Sequence, residues 1–296
     1  MKYVKSIRWI LFAAVALLLL TSSTIALADA QEDVIKYTEA IENDPTDAEA
    51  YNSRGVAYFT LNEYENALRD FEKAISLNDQ KYIFYYNRGN SNFNLNNYKQ
   101  ALPDLSKSIE LNETYAAAYR LRGRTYRALG QYVDALMDYN MSVELDQGND
   151  SGYYYRAQNY YDLKRYEDAI LDYNKAIALK QGSALYHNQR GNAYYSLKKY
   201  EESLLDYNKA IELNDSNATY YHNRATAYDQ LERYEEAIAE FNKALELNPT
   251  YTASLKRRGD VYVKMEDTVL ALADYEKALE LDPENETYQK LVDSLK

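Results

Sequence analysis

The sequence predicts an all-α fold, a solenoid of stacked helical hairpins, and three observations carry that expectation. The first is a period. Arg followed by Gly or Ala recurs as Arg54-Gly55, Arg88-Gly89, Arg122-Gly123, Arg156-Ala157, Arg190-Gly191, Arg224-Ala225 and Arg258-Gly259, every step being 34 residues with no insertion or deletion. The second is composition: 9 Gly and 4 Pro in 296 residues are too few for an all-β chain, which needs a turn roughly every 8–12 residues. The third is apolar spacing, which is helical twice within each 34-residue unit.

Residues 1–28 come first and read as an address. Lys2, Lys5 and Arg8 form a basic head, residues 9–20 are an unbroken apolar run, and Ala26-Leu27-Ala28 supplies a small-residue cleavage site. That order defines a secretory signal peptide. Twelve apolar residues cover only about 18 Å as a helix, against roughly 30 Å of hydrocarbon. Cleavage after Ala28 or Ala30 is therefore expected; the alternative is an uncleaved anchor over residues 9–28. Either way the rest of the chain is expected outside the cytoplasmic membrane, as a secreted, periplasmic or envelope-associated protein. Within residues 29–47, the stretch 32–43 carries Tyr37, Ala40 and Ile41 and looks like an orphan second helix that caps the array.

Seven units follow, at 48–81, 82–115, 116–149, 150–183, 184–217, 218–251 and 252–285. Positions 4, 7, 8, 11 and 14 share one face of a first helix, and positions 17, 20, 24, 27 and 28 share one face of a second. Two residues between them, such as Asn62-Glu63 or Gly130-Gln131, suffice for a tight turn. A lone hairpin cannot bury its apolar stripe, so the units must stack. Asn92 at position 11 and Pro103 inside the second helix mark the second unit as the least regular. Residues 286–296 close the array as a short helix with Tyr288, Leu291, Val292 and Leu295 inward.

These columns resemble the tetratricopeptide repeat: Tyr51, Gly55, Tyr58, Ala67, Phe71 and Ala74 in the first unit stand where that family has its aromatic, small and Ala residues. The resemblance implies a right-handed superhelical α-solenoid whose first helices line a concave groove for extended peptides or partner helices. On a helical wheel, positions 2, 5, 9, 12 and 13 point away from the packed face, so by resemblance they line that groove.

Arg at position 7 lies on the packed face, and its expected partner is the acid at position 23: Asp70, Asp104, Asp138, Asp172, Asp206, Glu240 and Asp274. The groove columns are less uniform. Tyr86, Asn90, Phe93 and Asn94 come from the second unit, Arg120, Arg124 and Arg127 from the third, and Tyr154, Gln158 and Tyr161 from the fourth. The three arginines stand at i, i+4 and i+7, a basic stripe on one helical face. Guanidinium forks grip carboxylates, and amides bond an extended backbone, so the stripe is expected to recognise an acidic peptide or terminal carboxylate. The alternative is that these arginines pair with nearby acids and merely solvate the helix. Some members of the family grip a C-terminal carboxylate through a clamp of two Lys, two Asn and an Arg. Here Asn192, Asn223 and Arg257 match it, while Asn188 and Ala253 replace both lysines.

Composition excludes other chemistries. With no Cys there is no thiol catalysis, disulfide or Cys-ligated metal, and 2 His cannot form a three-histidine site. His187 falls in a packing column, and no phosphate loop or nucleophile elbow is present. No catalytic residues, metal or cofactor are expected. The three leader cations removed, the formal charge of −12 becomes −15 for residues 29–296, which disfavours nucleic acid. Membrane contact is expected only through an uncleaved N-terminal segment. Sequons begin at Asn112, Asn140, Asn149, Asn214, Asn217 and Asn285, mostly in inter-repeat turns. The sequence thus points to a non-enzymatic adaptor that binds a protein or peptide in its groove. The alternative is a self-association or envelope-assembly module that uses its outer faces or ends, with the groove idle.

Overall fold

The structure, a computed structural model, describes residues 25–296; the basic head and apolar run of the expected signal peptide lie outside the described residues. Among the described residues the chain is helical throughout, with no strand. It divides into two compact units between Leu145 and Asp146. The first holds α1 (25–43), α2 (Ala48–Thr60), α3 (Tyr64–Leu77), α4 (Tyr82–Asn94), α5 (Tyr98–Leu111), α6 (Ala116–Ala128) and α7 (Tyr132–Leu145). The second holds α8 (Asp150–Asp162), α9 (Tyr166–Leu179), α10 (Ala184–Ser196), α11 (Tyr200–Leu213), α12 (Ala218–Gln230), α13 (Tyr234–Leu247), α14 (Thr252–Lys264), α15 (Thr268–Leu281) and α16 (Glu286–Leu295). In each unit, first and second helices pair as hairpins, each second helix packs on the next first helix, and consecutive first helices touch, α8 meeting α10 through Tyr154 and Tyr186.

Three local devices make each hairpin. The first helix ends in a left-handed residue at position 15: Asn62, Asn96, Gly130, Lys164, Lys198, Glu232 or Glu266, all with φ between 60° and 75°. The amide after it turns back onto position 11, as Glu63 N–H does to the Tyr58 carbonyl and Arg233 N–H to that of Tyr228, both 2.9 Å, which closes a Schellman cap. Only one of these seven residues is the glycine that such a backbone favours. The second device is close packing of small against large: Ala67, Ala101, Ala135, Ala169, Ser203, Ala237 and Ala271 are fully buried, and a Cβ added at Gly259 would strike the Tyr275 ring.

The third device is the ion pair expected between positions 7 and 23, and it forms in all seven hairpins. Arg122 Nε and Nη2 donate to the two Asp138 oxygens at 2.8 Å each, and Arg54, Arg88, Arg156, Arg190 and Arg258 grip their aspartates in the same forked way. Arg224 reaches Glu240 through Nη2 alone, at 2.6 Å. In several hairpins the third arm of the guanidinium crosses to the preceding second helix: Arg122 Nη1 donates to Ser106 Oγ at 3.1 Å, Arg190 Nη1 to Asn174 Oδ1 at 2.6 Å and Arg224 Nη1 to Asn208 Oδ1 at 2.7 Å. Arg54 finds Thr38 Oγ1 of α1 in the same place, so α1 fills the role of a second helix.

Two expectations change. α1 already includes residues 25–31, ahead of the expected start at 32, because that stretch is rich in helix formers and has no Gly, Pro or cap to stop it. The second hairpin is as regular as the rest. Pro103 deletes one helical hydrogen bond, but α5 runs unbroken because Ala101, Asp104, Leu105, Ser108 and Ile109 are buried along it. The sequon asparagines are structural in the turns, since the side chains of Asn149, Asn217 and Asn285 cap α8, α12 and α16, and those of Asn112 and Asn214 accept from amides two residues on.

Arg122→Ala should lower stability by about 3–5 kcal/mol, because it strands the buried Asp138. An unchanged denaturation midpoint would show the pair to be idle. Glu232→Gly should raise stability by about 0.5–1 kcal/mol, because relief of the left-handed backbone outweighs the flexibility of glycine in the unfolded chain. A lower midpoint for that variant would contradict strain at position 15.

Candidate peptide-binding face

In the first unit the face is built from α2, α4 and α6, which touch in that order. Neither α4 nor α6 contains an acidic residue. Arg120, Arg124 and Arg127 are half-buried on α6. The Arg124 guanidinium lies over the Phe93 ring, 4.5 Å from its centroid, a cation–π contact worth about 0.5–2 kcal/mol. Tyr86 packs edge-on against Tyr115, centroids 5.1 Å apart. Burial pushes the Tyr115 hydroxyl up to about 12 and that of Tyr86 upward too, and the positive charge of Arg120 opposes both shifts. Arg120 makes no hydrogen bond or ion pair among the described residues. Asn94 Nδ2 donates to the Asn90 backbone carbonyl at 2.8 Å, and Asn90 and Asn94 hold each other at the rim of the aromatic patch. Arg127 sits in the last turn of α6, where the helix dipole favours a cation.

In the second unit the face comprises α8, α10, α12 and α14. Tyr154 does not stand open on it. It is 8% exposed, stacked on Tyr186 with centroids 4.8 Å apart, and its hydroxyl accepts from Gln158 Nε2 at 2.7 Å. Position 5 points between adjacent first helices, so a large ring there is drawn into the contact. Tyr161 does reach the face, where its hydroxyl pairs with Ser196 Oγ at 3.0 Å.

Beside Tyr161 lies a recess of about 130 Å³, walled by Asn192, Tyr195, His222, Asn223, Thr226 and Arg257, with Tyr207 below. The carboxylate-clamp positions therefore come apart. Asn192, Asn223 and Arg257 line the recess, whereas Asn188 is buried at 4% exposure and serves as an anchor, its Oδ1 accepting from Asn223 Nδ2 at 2.9 Å. Asn192 Oδ1 accepts from the Tyr207 hydroxyl at 2.9 Å. That hydroxyl points inward to the face and not to the wet edge of the hairpin as the amphipathic character of Tyr suggests; burial raises its pKa far above the usual phenol range. Sequence columns treat Tyr207 as core, and the only mark is a hydroxyl that it shares with Tyr139, Tyr173 and Tyr275 and that Phe71 and Phe241 at the same position lack.

The recess holds one standing charge, that of the exposed Arg257. Burial, aided by Arg257, pushes His222 down to about 4, and its Nδ1 lies 2.8 Å from Ser254 Oγ, so it is neutral at pH 7. Two acids near the recess are occupied: Asp229 by Lys264 and Asp260 by Lys256, both at 2.6 Å. Arg257 makes no hydrogen bond or ion pair among the described residues. His187 is packed instead, 3.2 Å from Asp206 through Nδ1. Among the described residues no group of three or more His, Cys, Asp or Glu could hold a metal, and no helix is long and apolar enough to cross a membrane.

Comparison with known proteins bears on the fold. A family profile described as Tetratricopeptide repeat matches residues 48–81, 82–115, 218–251 and 253–285, and one described as TPR repeat matches 157–198 and 191–231. No curated protein sequence matches the chain. Among solved structures, a tetratricopeptide repeat protein from Parabacteroides merdae aligns with a TM-score of 0.66 at 19% identity, covering 84% of this chain and 98% of its own. The APC/C hetero-tetramer Cut9-Hcn1 aligns with a TM-score of 0.65 at 18% identity over 88% of this chain, which spans 52% of that one, about half its length. YrrB, described as a TPR protein with an unusual peptide-binding site, aligns with a TM-score of 0.51 at 21% identity over 63% of this chain and 96% of its own. At these identities the likeness speaks for the fold.

His222 gives the face a pH signature. Its folded pKa is depressed, so below pH 6.5 the unfolded chain takes up a proton that the folded chain refuses. The stabilisation is complete above pH 6.5 and falls as pH drops towards 4, by about 3 kcal/mol in all. The difference in stability between wild type and His222→Gln should therefore change with pH between 6.5 and 5; parallel curves would contradict the burial of a neutral imidazole.

Proposed function

The chain belongs to the tetratricopeptide repeat family, a protein–protein interaction scaffold, and on that premise we propose that its first-helix faces bind an extended, acidic segment of a partner polypeptide. One observation carries the reading. All seven position-7 arginines are tied to carboxylates, whereas Arg120 and Arg257, on the first-helix faces of the two units, are tied to none among the described residues. The half-buried Arg120 guanidinium, beside Tyr86 and Tyr115, has already lost part of its water, so a carboxylate gains more from it than from a surface lysine. Phe93 and Tyr86 offer apolar contact next to that charge, and Asn90 and Asn94 offer amides to a peptide backbone. In the second unit the recess at Arg257 has room for one carboxylate side chain and the phenol and amide groups to orient it. Peptide binding by the similar protein YrrB supports this use of the fold.

Export is also proposed, on the sequence of residues 1–28: a basic head, an apolar run and an Ala-Leu-Ala site. A mature N-terminus at Asp29 or Gln31 is the expected result, and one still at Met1 would remove that part of the reading.

A labelled peptide rich in Glu and Asp, titrated into the full chain, tests the binding. Replacing Arg120, Arg124 and Arg127 together by Ala should weaken it at least about tenfold, or ~1.4 kcal/mol, and added salt should weaken the wild type further. Arg257→Ala reads the second unit separately. Affinity indifferent to salt and to all these changes would exclude the reading.

A further inference from the structure

The outer surface of α7 differs from that of every other second helix. Positions 18, 22 and 26 face outward, and in the first hairpin they are Glu65, Arg69 and Lys73. Position 26 is Lys in six hairpins of the seven. In α7 the same three positions are Val133, Met137 and Met141, and Leu145 continues the series one turn on. Their exposures are 69%, 64%, 38% and 37%. Steps of four residues advance only about 40° around a helix, so the four side chains form one slanting apolar ridge roughly 18 Å long. Leu171 and Leu205, also exposed at position 22, are by contrast isolated between Glu and Lys at positions 18 and 26. The charges on the exposed side of α7 are Asp134 and Glu144, and the helix has no basic residue.

We propose that this ridge docks an amphipathic helix of a partner protein, one whose apolar stripe is flanked by Lys or Arg. Charge complementarity selects that occupant. On α7 itself every charge beside the ridge is an acid, and that flank attracts a basic border. Any two-fold pairing with a second copy sets Asp134 and Glu144 against the same acids in a chain of formal charge −12, and an anionic lipid surface meets the same repulsion. Unbranched, polarisable Met side chains adapt to the apolar face of an incoming helix, which is how helix-in-groove recognition gains tolerance for sequence. The site is distinct from the first-helix faces and stands independently of the peptide reading.

The test uses the full chain and a fluorescent synthetic helix of about 18 residues, long enough to cover the ridge, with a Leu stripe and Lys flanks. Saturable binding is expected, with at least about a tenfold loss when the Lys flanks become Glu or when the stripe becomes Ser. V133E/M137R/M141K, which installs the outward residues of the first hairpin, should abolish most of the binding without lowering the melting temperature; M137Q/M141Q gives a second, neutral variant. Equal binding by these variants, or no binding by the wild type, overturns the proposal. So does a ridge-dependent rise in mass with protein concentration, which identifies a second copy, or ridge-dependent sedimentation with anionic vesicles.

Discussion

The forked bond between the arginine at position 7 and the acid at position 23 is the constraint on which the rest of the architecture depends. Each aspartate of the pair is almost wholly buried, so it must be met, and the guanidinium meets both of its oxygens while a third arm of Arg54, Arg122, Arg190 and Arg258 reaches the helix before. One side chain thereby fixes the angle within a hairpin and the seat of that hairpin on its predecessor. Repetition at every 34 residues gives each unit a row of first helices in constant register. The Schellman caps and the small residues at position 20 allow the close approach; the ion pair decides how the helices are turned once they are close.

That arrangement sets the position-7 arginines apart from two on the first-helix faces. Those at position 7 are committed to structure. Arg120 and Arg257 stand on the opposite side of the first helices, where acids are absent, as on α4 and α6, or already tied to lysines, as Asp229 and Asp260 are. The overall acidity of the chain makes such places exceptions to the surrounding field. Aromatic neighbours hold Arg120 partly desolvated, and the neutral His222 leaves the charge of Arg257 undiluted by a second titrating cation. The proposed selectivity for carboxylate-bearing segments rests on this partition.

The period made most of the fold legible, because a strict repeat shows its packing columns without any alignment. The pairing of positions 7 and 23 could be read from seven coincident Arg and acid residues. What could not be read was direction along the first helix. Position 5 is half groove and half interhelical contact, so Tyr154 and Asn188 are buried while Arg120 and His222, in the same column, reach the face. Size and neighbours decide that, and neither is periodic. Tyr207 was hidden for the same reason: its ring belongs to the core and its hydroxyl to the recess. The left-handed residue at position 15 carried no sequence mark either, since Lys and Glu occupy it in four hairpins.

The partition of arginines is measured most directly by NMR of guanidinium Nε–H exchange with solvent in the full chain. Slow exchange is expected for Arg54, Arg88, Arg122, Arg156, Arg190 and Arg258, whose Nε donates to a buried carboxylate, and fast exchange for Arg120 and Arg257. Protection of Arg120 and Arg257 equal to that of Arg122 would contradict the partition, for those cations would then be committed within the fold and have nothing to offer a partner.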